Sequence, residues 1–599
     1  MTLRSVVLLA VLASVPVVAG AAAGSSAPGV GNVPQGTQTD AGYAQSFQTA
    51  GVTNVDATTQ KVSCYRPEVD ASAFDDGPAN GYSGVSACPG ATTGEDTGAS
   101  GPYPTQVGSN PGYPAAAPQL VKDHSESDIR VDPTNPQHLI GSSKWIVSAE
   151  GYNHLLGFYE SFDGGATWPV QGHIPGYEGW TDNTDPVGAF DTYGNYYELN
   201  LPYQFFYNAD GSHNFSIGAA REPNRVQPAE VVSVSVRPHG STTATQWITT
   251  HNGNPDFVAT YDSVGGEPDK QWLAIDTGSA SPFKNRIYAM WVVFHGPYTP
   301  TGYVSYAQAL PDGTHTDWSS PVSLPEPPHS PQGSTYLLPH VDPNGVLYTT
   351  ITNEDPAHQS FASTISVDRS TDGGKTWSVV STPVNDARLP SFVLPNTTFR
   401  DGITNTFAVG NHVDAQGKYP LYIAWEDGSA GVVNVLMTAS YDGGTTWTAP
   451  IQVNDNSSAV DEFQPNLTVA ADGKVSVNFY DRRLTCPASG SSEAAGAGLA
   501  LDPNAPYGAA NYCVNASVQF YSPTLTPIGH NVRLTQHTWD PQLNAPHTGS
   551  PTGRTTFIGD YFGNVTTGTT DVSTFVSTYD AGTNPSHYQQ QIIARVAIP

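Results

Sequence analysis

Basic residues are scarce in this 599-residue chain: 23 Lys and Arg stand against 53 Asp and Glu, a formal net charge of -30. Such a surface repels phosphate backbones and anionic headgroups, which excludes nucleic acid and a charged membrane surface as partners. Cysteine is scarcer still, at four. Neither local pair, Cys64 with Cys88 or Cys486 with Cys513, has zinc-ligand spacing, and their positions suggest two short-range disulfides formed in an oxidising compartment. Beyond the N-terminus no run approaches the roughly 20 apolar residues needed to span a bilayer as a helix. From about Ser127 onward no helical period outlasts two turns, which excludes a helix bundle.

What is present begins with "MTLRSVVLLAVLASVPVVAGAAAG": one arginine, an apolar run, then small residues. Residues 1–23 read as a secretory signal, so the expected location is extracellular. Residues 24–118, rich in Gly, Ala, Ser, Thr and Pro, bury too little apolar surface to offset ordering entropy. They are expected to form a loose arm held by Cys64 and Cys88, with 119–599 as a single domain. Sequons at Asn214, Asn396, Asn456, Asn466, Asn515 and Asn564 would carry glycans in a eukaryotic secretory pathway.

In that domain, short runs of Val, Ile, Tyr, Phe and Trp alternate with Gly, Asp, Asn and Pro clusters. Seven segments open with an apolar strand that ends in a turn, from "DIRVDPTNPQHLIG" through "DPVGAFDTYGN", "DKQWLAIDTG", "YLLPHVDPNG", "NTFAVGNHVD" and "FQPNLTVAADG" to "FIGDYFGNVTTG". Their spacing of roughly 55–95 residues leaves room for a four-stranded meander in each. The fold expected is an all-β propeller of seven four-stranded blades, with six as the alternative count.

One phrase recurs between the third and fourth strand runs: "SFDGGATW" at 161–168, "STDGGKTW" at 370–377 and "SYDGGTTW" at 440–447. Its glycines supply the positive φ of a tight hairpin. Asp163, Asp372 and Asp442 can accept backbone N–H bonds across the turn, and Trp168, Trp377 and Trp447 are long enough to brace one blade on another. Blades radiate, so three such turns cannot converge on one substrate. The phrase therefore reads as structural, and the degenerate copies "RPHGSTTATQW" and "ALPDGTHTDW" agree with that.

Ser-x-Asp-x-Gly-x-Thr-Trp resembles the Asp box, or bacterial neuraminidase repeat, of the sialidase superfamily, and with the strand phrasing the likeness covers about four-fifths of the chain. Asp boxes occur in hydrolases, lyases, sorting receptors and binding propellers, so the resemblance speaks to fold before function.

The hairpins also orient the blades. With third-to-fourth turns on a lower face, the links entering each innermost strand and the second-to-third loops lie on an upper face. These carry His124, Glu126, Asp185, Asp269, Arg400, Glu462, Arg554, Asp560 and Tyr561, and Tyr152, His154, Arg482 and Arg483. Cys486 and Cys513 would pin the longest loop. Acids crowded round a channel need a cation or arginine beside them; Asp185, Asp269 and Asp560 are the candidate ligands of a calcium ion.

The resemblance implies a retaining exo-sialidase first. Arg400, Arg482 or Arg483, and Arg554 would grip a sugar carboxylate, Tyr561 would be the nucleophile paired with Glu462, and an aspartate, with Asp185 the candidate, the acid/base. The family's Phe/Tyr-Arg-Ile-Pro motif is absent, replaced by "SDIRVDP". The second reading is a polysaccharide lyase on a uronate-containing glycan, using His124, His154, Tyr152 and Arg554. The third is a non-catalytic binder of extracellular glycan or protein. A monomer acting on extracellular carbohydrate is the common expectation.

Overall fold

A computed structural model describes residues 38–57, 123–146, 154–176, 182–203, 230–261, 266–294, 300–325, 334–353, 362–391, and 393–599 apart from 398, 400, 403–404, 415, 502–505, 542–544, 548–554, 585–586 and 588. Among the described residues, antiparallel four-stranded meanders form seven blades of a β-propeller. The innermost strands are Asp123–Asp132, Asp182–Phe190, Glu267–Ile275, a split strand (Ser334–Thr335 and His340–Val341), Asn405–Val409, Glu462–Val469 and Asn564–Thr567. Each packs against the next, and the last packs against the first, closing the ring. All seven openings read from the sequence are innermost strands.

The propeller does not begin at 119. Thr53–Asp56 pairs antiparallel with Gln590–Ala597 as the outermost strand of blade 7, aligning Thr53 with Arg595. Just before it, a helix over Asp40–Ala50 is capped by the Thr39 hydroxyl. It buries Tyr43 against blade 6, where the Ser517 hydroxyl donates to Tyr43 Oη at 2.7 Å. The low-complexity surroundings concealed this short segment, whose few apolar residues suffice because an existing sheet edge supplies the hydrogen bonds. Cys64 and Cys88 lie outside the described residues. Cys486 and Cys513 form the disulfide the spacing suggested. Among the described residues, no helix is long and apolar enough to cross a membrane. Asn515 and Asn564, at 0% and 3% exposure, are too deeply buried to carry a glycan.

The repeated phrase closes the third-to-fourth hairpins of blades 1, 4 and 5. In blade 5 the Ser440 hydroxyl (2.9 Å) and the Thr446 backbone N–H (2.9 Å) donate to Asp442 Oδ1, and the Thr446 hydroxyl donates to Oδ2 (2.6 Å). Blades 1 and 4 repeat the pattern around Asp163 and Asp372. Each tryptophan leans on the preceding blade. Trp168 joins Val565, Val572 and Ile593 of blade 7, Trp377 packs beside Tyr288 and Val304 of blade 3, and Trp447 donates its indole N–H to Ser381 of blade 4 at 3.0 Å. Gly444, at φ 91°, has a backbone that few L side chains adopt, and Val380 and Leu421 close around it.

Candidate functional site

The innermost strands share an irregularity that the sequence does not announce. In blades 1, 2, 3 and 6 the pairing with the second strand skips two residues, between Ser125 and Asp128, Thr184 and Val187, Asp269 and Trp272, and Phe463 and Asn466. The first skipped residue is left-handed each time: Glu126 (φ 50°), Asp185 (54°), Lys270 (53°) and Gln464 (47°). Tyr336 (51°) occupies the break in blade 4's split strand. A non-glycine residue in this region costs roughly 1–2 kcal/mol. Such strain is retained where it aims a side chain for use, and bulges do this beside functional sites.

In blades 2, 3 and 4 the bulges bring Asp185, Lys270 and Tyr336 together around the upper end of the axis, with Asp560 and Tyr561 from the link entering blade 7. Gly559, at φ 104°, makes that link possible, because a Cβ there would stand 2.3 Å from the backbone nitrogen of Glu126. The ammonium of Lys270 lies 3.0 Å from Asp560, 3.7 Å from Asp269 and 4.0 Å from Asp185. Behind Asp185, the buried Lys144 donates to Thr184 Oγ1 (2.7 Å), stands 3.7 Å from Glu126 Oε2 and caps the Phe557 ring. The Thr184 hydroxyl is 2.6 Å from Asp185 Oδ1 and 3.4 Å from Glu126 Oε2, and the backbone N–H of Asp185 donates to that same Glu126 oxygen at 3.2 Å.

These neighbouring carboxyls titrate in opposite directions. Burial pushes Glu126 up to about 8, and the charge of Asp185 adds to the effect. Burial also raises Asp185, but Lys270 and Lys144 outweigh it and hold this group below the usual carboxylate range. Near neutral pH the pair therefore holds one proton, on Glu126. Lys270, disfavoured by burial, is held charged by Asp269, Asp560 and Asp185.

Asp185, Asp269 and Asp560, the candidate calcium ligands, do converge, but on an ammonium: Lys270 occupies the centre where a cation was expected. Among the described residues no group of three or more His, Cys, Asp or Glu side chains could hold a metal. Tyr561 lines the pocket, yet its hydroxyl donates to the Pro186 carbonyl at 2.9 Å. Burial and the charges of Glu126 and Asp185 drive its pKa up, the reverse of what a nucleophile needs. Glu462 lies elsewhere, fully buried beside Asp481, so the proposed pairing with Tyr561 does not form.

Arg482 and Arg483 are also corrected. Both are buried, and neither lines the axial pocket. Arg482 is used by Asp461 and the carbonyls of Pro395, Asn511 and Tyr512, and Arg483 by Asp481, Asp455 and Asn531. His124 is buried, with Nδ1 2.8 Å from the Tyr159 hydroxyl, and burial lowers it to about 3. That value leaves it a poor proton carrier at neutral pH. Tyr152, Arg400, Arg554 and the side chain of His154 lie outside the described residues. Sequence reading missed Lys270 and Lys144, because it looked for arginine as the countercharge in "EPDKQW" and on the second strand.

No family model and no curated protein sequence matches the chain. Among solved structures it is similar to the polysaccharide lyase Uly1 (11% identity, TM-score 0.40, covering 82% of this chain and 93% of that one). It is also similar to a variant of the NanB sialidase from Streptococcus pneumoniae (10%, 0.35, 82% and 72%) and to a protein of unknown function from Dyadobacter fermentans (11%, 0.38, 80% and 95%). Likenesses this distant carry no argument about activity, which rests on the site itself.

Proposed function

We propose that the upper axial site is the acid/base centre of a secreted carbohydrate-active enzyme. Asp185 is the carboxylate facing the pocket, and Glu126 is the proton store behind it. The observation that carries this reading is the opposed titration of two carboxyls bridged by one hydroxyl, Thr184. Paired carboxyls driven apart in pKa are how glycosidases divide the roles of acid and base. In this scheme Asp185, held ionised by Lys270, accepts a proton from water or from a substrate hydroxyl. The Glu126 proton returns through Thr184 to the leaving oxygen. Because Arg482 and Arg483 are engaged internally and Lys270 already faces three carboxylates, preference for an acidic sugar would rest on Arg400 and Arg554.

The test offers the purified protein a sialoside, a uronate-containing polysaccharide and a neutral arabinan. Free sialic acid, unsaturated-uronate absorbance and new reducing ends are followed. Product formation that falls by about 10²–10⁴ in Asp185→Asn is the expected result. Undiminished activity in that variant would overturn the assignment. A second reading, a non-catalytic glycan-binding propeller, is favoured by one feature: the innermost part of the pocket has room for little more than a water molecule. Glycan binding without any product would select it.

A further inference from the structure

The axial channel has a second compartment. Trp272 and Leu338 line both the upper pocket and a separate cavity of about 190 Å³ among the lower ends of the innermost strands. Trp272 meets Tyr561 edge to face at 5.3 Å, and both rings line a small pocket, with Thr406 and Asn466, that lies between the two compartments. The lower cavity opens toward the face of the Asp-box hairpins, with Val409 and Val469 at strand ends. Its volume is below the roughly 300–1,000 Å³ of drug-sized sites and suits a single small ring.

Its polar groups are specific. Arg130 lines the cavity, but its charge is already met: Nη2 pairs with Asp128 at 3.0 Å and Nε donates to the Gly188 carbonyl at 2.6 Å. His340 donates from Nδ1 to the Leu338 carbonyl at 3.4 Å, and burial together with Arg130 lowers its pKa to about 4. Its ring is therefore neutral under ordinary conditions, with Nε2 an acceptor. Asn564, only 3% exposed, lines the wall and turns its amide away to Ser476 between the blades. Phe407, edge-on to His340 at 5.4 Å, adds an apolar wall.

We infer that this lower cavity is a binding site for a neutral polyhydroxylated molecule the size of one monosaccharide, held by a hydroxyl donor to His340 Nε2 and packed against Phe407. An imidazole acceptor beside a guanidinium already paired with Asp128 calls for a ligand rich in O–H groups. A carboxylate would meet the His340 acceptor and a guanidinium whose charge Asp128 already balances. Nothing in this inference depends on the chemistry at the upper site.

Calorimetric titration of the full chain with galactose, glucose, arabinose and galacturonate tests it. At least one neutral sugar is expected to bind saturably in the millimolar range, and galacturonate more weakly than galactose. His340→Ala removes one acceptor, and Val409→Trp fills the mouth; each is expected to weaken binding about tenfold while melting near the parent temperature. If Val409→Trp does not fold, His340→Ala alone decides. Asp185→Asn should bind as the parent does, which separates this site from the upper one. Three outcomes would overturn the inference: no neutral sugar binding, tighter binding of galacturonate, or unchanged affinity in the folded cavity variants.

Discussion

Lys270 reaches across the channel to Asp560, Nζ to Oδ2 at 3.0 Å, although 290 residues separate them in the chain. The pair joins blade 3 to the link entering blade 7. Neither residue can be replaced without leaving buried charge behind. Lys270→Met should therefore cost about 3–5 kcal/mol at neutral pH in urea unfolding. With the ammonium gone, burial would raise the folded-state pKa of Asp185 toward or above its unfolded value. The deficit should shrink as pH falls toward 5 and the carboxyls take up protons.

Glu126→Gln should leave the melting temperature almost unchanged, because the parent side chain is already neutral at pH 7. It should lower activity at every pH, since the amide has no proton to give, and abolish the alkaline limb, which in the parent is expected to titrate with an apparent pKa near 8. A parent pH–rate profile flat from pH 6 to about 9 would count against Glu126 as the proton store.

His138 lies between Asp132 (3.0 Å) and Glu160 (2.9 Å), and Glu160 in turn holds Arg237 of blade 2. Burial opposes protonation of His138, but the hydrogen bonds from both acids outweigh it and raise its pKa. The stability this contributes is complete below the unfolded value of about 6.5 and is lost as pH rises through the folded value. A His138→Gln chain should show less loss of stability between pH 6 and about 8.5 than the parent. NMR titration of the imidazole gives the folded value directly.

Asp442→Ala removes four hydrogen bonds, from Ser440, Thr445 and twice from Thr446, in an exposed hairpin. After discounting for solvent the expected loss is about 1 kcal/mol, with no change in activity on any glycan. Burial slightly opposes ionisation of Asp442, but these bonds hold its pKa low, so the loss should fade as pH drops below about 4. A collapse of activity in a folded Asp442→Ala protein would return the repeated phrase to the catalytic candidates.

Tyr43→Ala probes the N-terminal helix. The ring is fully buried under the Arg483 guanidinium at 4.2 Å, and its removal should cost about 3–5 kcal/mol by denaturant titration.

The blades were legible because their determinants are local: alternating apolar residues, turn glycines and the "SxDGGxTW" fastener each report on a few neighbours. The site was legible only in part. The acids Asp185 and Asp560 could be placed at the axis by strand order. The left-handed bulges that aim Glu126, Asp185 and Lys270 could not, since nothing in those residue types asks for positive φ and the conformation is imposed by the packed ring. Arg482 and Arg483 were misread for a related reason. Their partners, Asp455 and Asp461, stand more than twenty positions upstream, and only the fold brings them into range.

The strand Thr53–Asp56 gives assembly an order. It leaves the ribosome more than five hundred residues before its partner, Gln590–Ala597. Until that partner has been made, blade 7 cannot gain its outer edge and the circle has no clasp. The final contact is thus among the most distant in sequence, the kind that folds slowly and leaves a sticky edge bare meanwhile. Fusions or truncations near residue 57 would be felt first as failures of closure, seven blades wound but not fastened.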